Sequence, residues 1–122
     1  MGRMPFSRSD RLASSVQKDL SEMISTKKLK EFRDPRFQGL ISITGVKVTN
    51  GYQHLDIFFS VFEENYRLGV LEVFKEAIPS IRGEICRGFK LKIAPSLVFH
   101  LDESLERGNK IWNLLDNLES HE

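Results

Sequence analysis

The chain has 122 residues, 40% of them hydrophobic and 29% charged, with a formal net charge of +1. That is one domain's worth of folded protein, long enough for its own core. A single Cys86 excludes an internal disulfide, no histidine or cysteine spacing suggests a zinc site, and no apolar run approaches a membrane span.

Charge distribution says more than the total. Residues 1–50 hold ten Lys/Arg and five Asp/Glu, a net +5, and residues 51–122 hold eight and twelve, a net −4. Within the second half, residues 80–92 carry Arg82, Arg87, Lys90 and Lys92 against Glu84 alone, while the tail from Asp102 is again net −4. Basic charge confined to two segments suggests a polyanion on one side of the molecule, with two ordinary solvated faces as the alternative.

Residues 1–8, MGRMPFSR, form a loose basic arm. Ser7 or Ser9 can cap a helix running to about Thr26, with Leu12, Ala13, Val16, Leu20, Met23 and Ile24 on its core side. Arg8 and Arg11 stand at its start. Next come Lys27, Lys28, Lys30, Arg33 and Arg36 around the turn dipeptide Asp34-Pro35, either a flexible basic connector or an RNA-contacting run.

Residues 40–49, LISITGVKVT, alternate as a strand whose phase shifts at Gly45, the mark of a bulge. Asn50-Gly51 signals a tight hairpin into a return strand over residues 52–62, with Leu55, Ile57, Phe59 and Val61 on one face. Phe58 and Phe62 lie on the other face, open to stacking on bases or to packing under a neighbouring element. Asn65 can cap a helix with Val70, Leu71, Phe74, Ala77 and Ile78 apolar, which Pro79 interrupts. Ser80 then caps a second short helix carrying Ile81, Ile85 and Phe89, and Gly88 ends it.

From Lys90 the period becomes two, which predicts a strand with Lys90 and Lys92 on one face, disturbed at Ala94-Pro95 and resuming over residues 97–101. Asp102 or Ser104 starts a final helix with Leu105, Ile111, Trp112, Leu115 and Leu118 apolar. The order α-β-β-α-break-α-β-α makes a three-stranded sheet with helices on one side, an α+β fold. The domain is expected over residues 9–118, after the 1–8 arm and before a 119–122 tail.

That order, together with DPRFQGLISITGVKVT (34–49), SIRGEICRGFKLKIAPSLVFHLDES (80–104) and the closing 105–115 segment, resembles the ribosome-binding factor A family from Arg8 to about Leu115. Each motif alone is weak, and their order and spacing together are specific. The resemblance implies a type II KH-like fold, α-β-β-α-(break)-α-β with a carboxy-terminal helix. It implies a cytoplasmic bacterial assembly factor that binds the immature 30S subunit, supports late 16S rRNA maturation and 5′-end processing, and is linked to cold adaptation. It implies no covalent chemistry, no cofactor, a monomer, and transient contact with a ribosome-associated GTPase. A KH module usually clamps nucleic-acid backbone with a GxxG loop, and the family replaces it with an interruption usually written Ala-x-Gly. Here the residues are Ala77-Ile78-Pro79. Proline keeps a helix break but removes an N–H and the close approach that glycine permits, which argues against a backbone phosphate contact there.

The residues expected to neutralise phosphates are Arg8, Arg11, Lys27, Lys28, Lys30, Arg33, Arg36, Arg87, Lys90 and Lys92, with Gly83 keeping the outer helix surface low enough for a backbone to approach. Arg82 lies nearer the apolar sector, and Asp34-Pro35-Arg36 can equally be a turn that fixes the strand. His54, His100 and His121 are scattered, no Walker-type glycine loop occurs, and no constellation meets the geometric roles of catalysis. The alternatives to ribosome assembly are a KH-like module for another RNA and a protein–protein adaptor with a basic face.

Overall fold

The computed structural model describes residues 8–49 and 53–103. Helix α1 (Arg8–Thr26) is followed by a 3-10 turn (Lys30–Arg33), strand β1 (Ile41–Thr49) and strand β2 (His54–Val61). A second 3-10 turn (Glu64–Tyr66) leads into helix α2 (Arg67–Phe89), and strand β3 (Ser96–Leu101) closes the sheet. The Asn50-Gly51 turn, the basic arm ahead of Arg8 and the expected carboxy-terminal helix lie outside the described residues.

The sheet order is β1-β2-β3, with β1 antiparallel and β3 parallel to β2. A parallel pair needs a long crossover, and α2 supplies it. Leu55, Ile57, Phe59 and Val61 of β2 are all buried on the face that the helices cover, as the alternation predicts. The bulge is where Gly45 signals it. Ile43 pairs with Phe59 and Gly45 with Phe58, leaving Thr44 as the extra residue. The amide of Gln17 in α1 donates to the Ile43 carbonyl at this bulge (2.9 Å), tying helix to strand where the ladder is irregular.

Leu12, Val16, Leu20 and Met23 are the buried stripe of α1, which packs on β1. Phe74 of α2 is the centre of the core. Its ring stacks on Phe99 (centroids 4.5 Å apart) and meets Phe32, Phe37 and Phe59 edge-on. Aromatic pairs of this kind add about 0.5–1.5 kcal/mol each beyond area burial. Phe32 and Phe37 stack on one another across the Asp34-Pro35 turn, so the segment between α1 and β1 is a packed element and not a loose connector.

Four local expectations are corrected. First, α2 is one helix from Arg67 to Phe89 with Pro79 inside it. Its buried residues Val70, Val73, Phe74, Ala77, Ile81 and Ile85 keep helical spacing straight through the proline. Pro79 is exposed, as is Lys75, whose carbonyl loses the N–H that a non-proline residue 79 would donate. Ala77 and Ile78 are therefore ordinary helical residues, Ala77 fully buried, and no break separates two helices. Ser80 caps nothing, and its hydroxyl donates to Glu31 Oε2 of the 3-10 turn (2.9 Å).

Second, Asn65 sits in the 3-10 turn and Tyr66 takes the position before α2, without a side-chain cap. The start of α2 is tied down instead by Arg67, whose Nε and Nη2 donate to the carbonyls of Val61 and Phe62 at the end of β2. Third, the helix runs past Gly88, and Lys90 ends it in the left-handed conformation at φ 54°. Fourth, residues 90–95 form no strand. Arg82 Nε donates to Pro95 O (2.8 Å) and Nη2 to Ala94 O (3.1 Å), and Cys86 Sγ–H donates to Leu91 O. These bonds hold the segment against α2, and β3 begins only after the buried Pro95. A proline immediately before an edge strand costs no ladder bond.

Candidate nucleic-acid interface

The start of α1 and the end of α2 meet at one end of the molecule. Arg8, Arg11, Leu12 and Ser15 of α1 line a shared cleft with Phe89 and Leu91. Leu12 is buried there and both arginines are exposed. Arg11 is about 100° around the helix from buried Leu12 and falls at the rim, while Arg8 lies one turn before Leu12 on the same side and is exposed as the first residue of the helix. Arg87, Lys90 and Lys92 are also exposed at this end of α2. The left-handed turn at Lys90 sends the chain back along the helix, where Arg82 pins it at Ala94 and Pro95. Lys90 and Lys92 are thus presented from a helix cap and a pinned loop, rather than from one strand face. Cations at a helix carboxy terminus are also favoured by the helix dipole.

Beside this end, Glu84 accepts from Lys28 Nζ (2.9 Å) and from Arg87 Nη2 (2.7 Å). The Lys28 ammonium first, then the Arg87 guanidinium, hold the Glu84 carboxyl below the usual carboxylate range. The space over Gly83 is occupied by the Arg87 guanidinium. A Cβ there would lie 3.4 Å from Arg87 Nη1, so the low surface left by glycine accommodates a side chain of the same helix.

The 27–36 run is divided among different tasks. Lys27 is a second left-handed residue (φ 52°), with its ammonium 5.8 Å from the Phe37 ring centroid. Arg33 Nε donates to Lys27 O (3.1 Å), and Lys30 is exposed. Arg36 is the most engaged cation. It donates to Asp34 through Nε and Nη2 (3.0 and 2.9 Å), to Glu76 through both Nη atoms (3.0 and 2.7 Å), and to Glu72 at 3.5 Å. Asp34 is pulled from 3.8 to about 2, first by the Arg36 side chain and then by the Arg36 backbone N–H. Glu76 is lowered by the same guanidinium, and Arg36 itself is raised. Of the two readings of Asp34-Pro35-Arg36, the geometry displays the turn-fixing one.

On the sheet face opposite the helices, Asp56 Oδ1 accepts from His100 Nε2–H (2.8 Å) and from His54 Nε2–H (3.2 Å). His100 first, and His54 after burial has partly opposed it, keep the Asp56 carboxyl low. Phe58 stacks on His100 at 4.8 Å and is half-buried, whereas Phe62 is exposed. Among the described residues no group of His, Cys, Asp and Glu is arranged to hold a metal ion. The contacts invisible to sequence reasoning are the Glu84 bridge and the Asp56 pair. Their long-range bonds, Lys28–Glu84 and His100–Asp56, join residues more than forty positions apart, and no local pattern encodes those.

A basic end on a three-stranded α+β domain of α-β-β-α-β order defines a small protein of the type II KH-like class. A family model described as ribosome-binding factor A matches residues 8–115. Proteins of that name from Prochlorococcus marinus (strain MIT 9303) and Caldanaerobacter subterraneus are 38% and 35% identical. These alignments cover 94% and 100% of this chain, and 80% and 97% of the relatives. The chain belongs to the ribosome-binding factor A family. The crystal structure of ribosome-binding factor A from Thermus thermophilus superposes with a TM-score of 0.62 at 21% identity. That match covers 78% of this chain and 97% of the other. A Thermus thermophilus factor fitted into a cryo-EM map of a 30S complex gives 0.57 at 22% identity, covering 75% and 91%. Both confirm the fold.

Proposed function

We propose that this protein is a ribosome assembly factor that docks on the rRNA of the immature small subunit through its basic end. The observation that carries this is that Arg8 and Arg11 line one cleft with Phe89 and Leu91, at the same end of α2 where Arg87, Lys90 and Lys92 are exposed. Family membership and a relative captured with a 30S particle support the choice of target. In this reading the protein acts as a cytoplasmic monomer through its 9–118 domain, without covalent chemistry. It supports late 16S rRNA maturation and 5′-end processing, and a ribosome-associated GTPase releases it. Exposed cations docking on phosphates release counterions, and arginine engages two oxygens where lysine acts as a point charge. Lys30 extends the surface, while Lys28 and Arg87 join it by exchanging their bonds to Glu84 for phosphate.

Co-sedimentation with purified small and large subunits over a salt series tests this. The expected result is selective small-subunit binding that weakens steeply with salt, and loss of that binding in an Arg87→Glu, Lys90→Glu, Lys92→Glu variant that stays folded. Unchanged binding by the triple variant removes this surface from the interface. Binding to neither subunit redirects the function toward another RNA or an acidic protein, which nuclease treatment of the complex separates.

A further inference from the structure

Arg8, Arg11, Leu12 and Ser15 are spaced so that they share one face of α1. Together with Phe89 and Leu91 they line a cleft of about 260 Å³. Its walls are apolar and its rim is cationic. Leu12 is buried, Phe89 and Leu91 are half-buried, and both arginines are exposed. None of the described residues that line it carries a carboxylate.

The walls are fixed from behind. Leu91 N–H donates to Cys86 O (3.1 Å) and Leu91 O accepts from Cys86 Sγ (3.0 Å), directly after the left-handed turn at Lys90. Leu12 belongs to the core, and Phe89 and Leu91 pack against it. The groups that would face a ligand are uncommitted. Phe89 takes no part in the ring contacts around Phe74, and no aromatic ring meets it among the described residues. Neither the Arg11 guanidinium nor the Ser15 hydroxyl has a hydrogen-bond partner among those residues.

We infer that this cleft takes one unpaired nucleobase of the RNA and holds its flanking phosphates at the rim. The inference rests on the reading that the basic end docks on RNA, and it names what enters there. A nucleotide joins a flat, largely apolar ring to anionic charge within a few bonds. The ring would lie on Phe89 between Leu12 and Leu91, and such stacking tolerates any base. The Ser15 hydroxyl can give or accept one hydrogen bond at the base edge. Arg8 and Arg11 can each engage phosphate oxygens in pairs, with Lys90 exposed at the same end. The cleft is slightly smaller than the roughly 300–1,000 Å³ of pockets for whole ligands, which suits a single base. A paired base cannot enter, because its faces are already covered by its neighbours. The cleft also lies about 16 Å along α2 from Ala77-Ile78-Pro79, so it is separate from the place where a KH loop would clamp backbone.

The test uses the full-length protein and two fluorescein-labelled RNA hairpins. They are identical except that one carries a single bulged adenosine and the other an abasic nucleotide at the same place. Fluorescence anisotropy should show the abasic hairpin binding about fivefold or more weakly, because stacking is lost. The salt slope should be the same for both, because the phosphates are unchanged. Phe89→Leu should remove the difference and keep both the slope and the far-UV circular dichroism. Phe62→Leu, at an exposed ring beyond β2, should keep the difference. Equal affinity of the unsubstituted protein for the two hairpins overturns the inference, whatever the variants do. A difference that persists in folded Phe89→Leu, or vanishes in Phe62→Leu, overturns it too, since the base is then held elsewhere. Binding to neither hairpin by a protein that co-sediments with the small subunit strikes base capture and leaves docking in place. Base-dependent binding by a protein that sediments with neither subunit supports the cleft and moves it to another RNA. Equal binding of the hairpins, with Phe89-dependent affinity for an acidic peptide containing phenylalanine, would assign the cleft to a protein partner.

Discussion

Arg36 shows how one residue can be basic in composition and structural in effect. Its guanidinium joins Asp34, two residues away, to Glu72 and Glu76 on α2, so it fastens the turn before β1 to the crossover helix. The ions are solvent-exposed and screened, so their contribution is best read through its pH dependence. Asp34 and Glu76 have lowered folded-state pKa values, so the stability they add is full above the ordinary carboxylate range. It is lost as pH falls through the folded values, for Asp34 from about 3.8 down to about 2. Urea unfolding midpoints should therefore fall between pH 4 and pH 2. Arg36→Ala should lower the midpoint at pH 7 and flatten that acid limb. An acid limb that stays as steep in the variant would show that Arg36 does not hold these carboxyls.

At the scale of elements, α2 departs furthest from local rules. A proline inside a helix costs about 3 kcal/mol through the lost N–H and the ring clash. Burying a Val, Ile or Phe side chain returns about 1.5–3 kcal/mol each, and α2 buries five such residues, Val70, Val73 and Phe74 before Pro79 and Ile81 and Ile85 after it. Continuous packing against β2, β3 and the 3-10 turn therefore overrides the stop signal. Pro79→Ala is expected to raise stability by about 2 kcal/mol in urea unfolding. Gly88→Ala should add about 0.5–1 kcal/mol, because Gly88 is helical and a Cβ there meets nothing within 4 Å. Loss of stability in either variant would mean that the residue's special backbone is used by the fold. Much of the element plan was legible in the sequence. The bulge at Gly45, the burial of β2 on one face and the stripe of α1 follow from alternation and helical spacing alone. The stripe from Val70 to Ile85 keeps helical spacing through residue 79, whereas the proline there signals a stop, so local rules point both ways at this position.

At the scale of the whole molecule, cations gather where α1 meets the end of α2, and Glu84 sits among them holding Lys28 and Arg87. If that end docks on rRNA, Glu84→Gln releases two cations to phosphate. Small-subunit affinity at low salt is expected to rise a few-fold. The slope of log affinity against log salt should steepen by about 0.7–0.9 for each phosphate gained. An unchanged slope in co-sedimentation would show that Lys28 and Arg87 contact no phosphate. The candidate surface was only partly legible for the same reason. Charge counting locates basic segments, but which cations are engaged in ion pairs depends on carboxylates brought from other elements. Arg36 and Lys28 are the instances, each meeting a partner on α2.

By itself the sequence determined the fold class, the three-stranded sheet and the family, because these rest on hydrophobic period and on motif order, both local or additive along the chain. Tertiary structure decided between the proline stop and the unbroken stripe in favour of one helix. It alone decided that Lys90 rather than Gly88 ends that helix and that residues 90–95 are a pinned loop. It also decided that Arg36, Lys28 and Arg87 meet carboxylates of α2. The physical reason is common to all of these. Each is a contest between a local preference worth a few kcal/mol and the burial or pairing of groups distant in sequence, and only the packed molecule holds both sides of that balance.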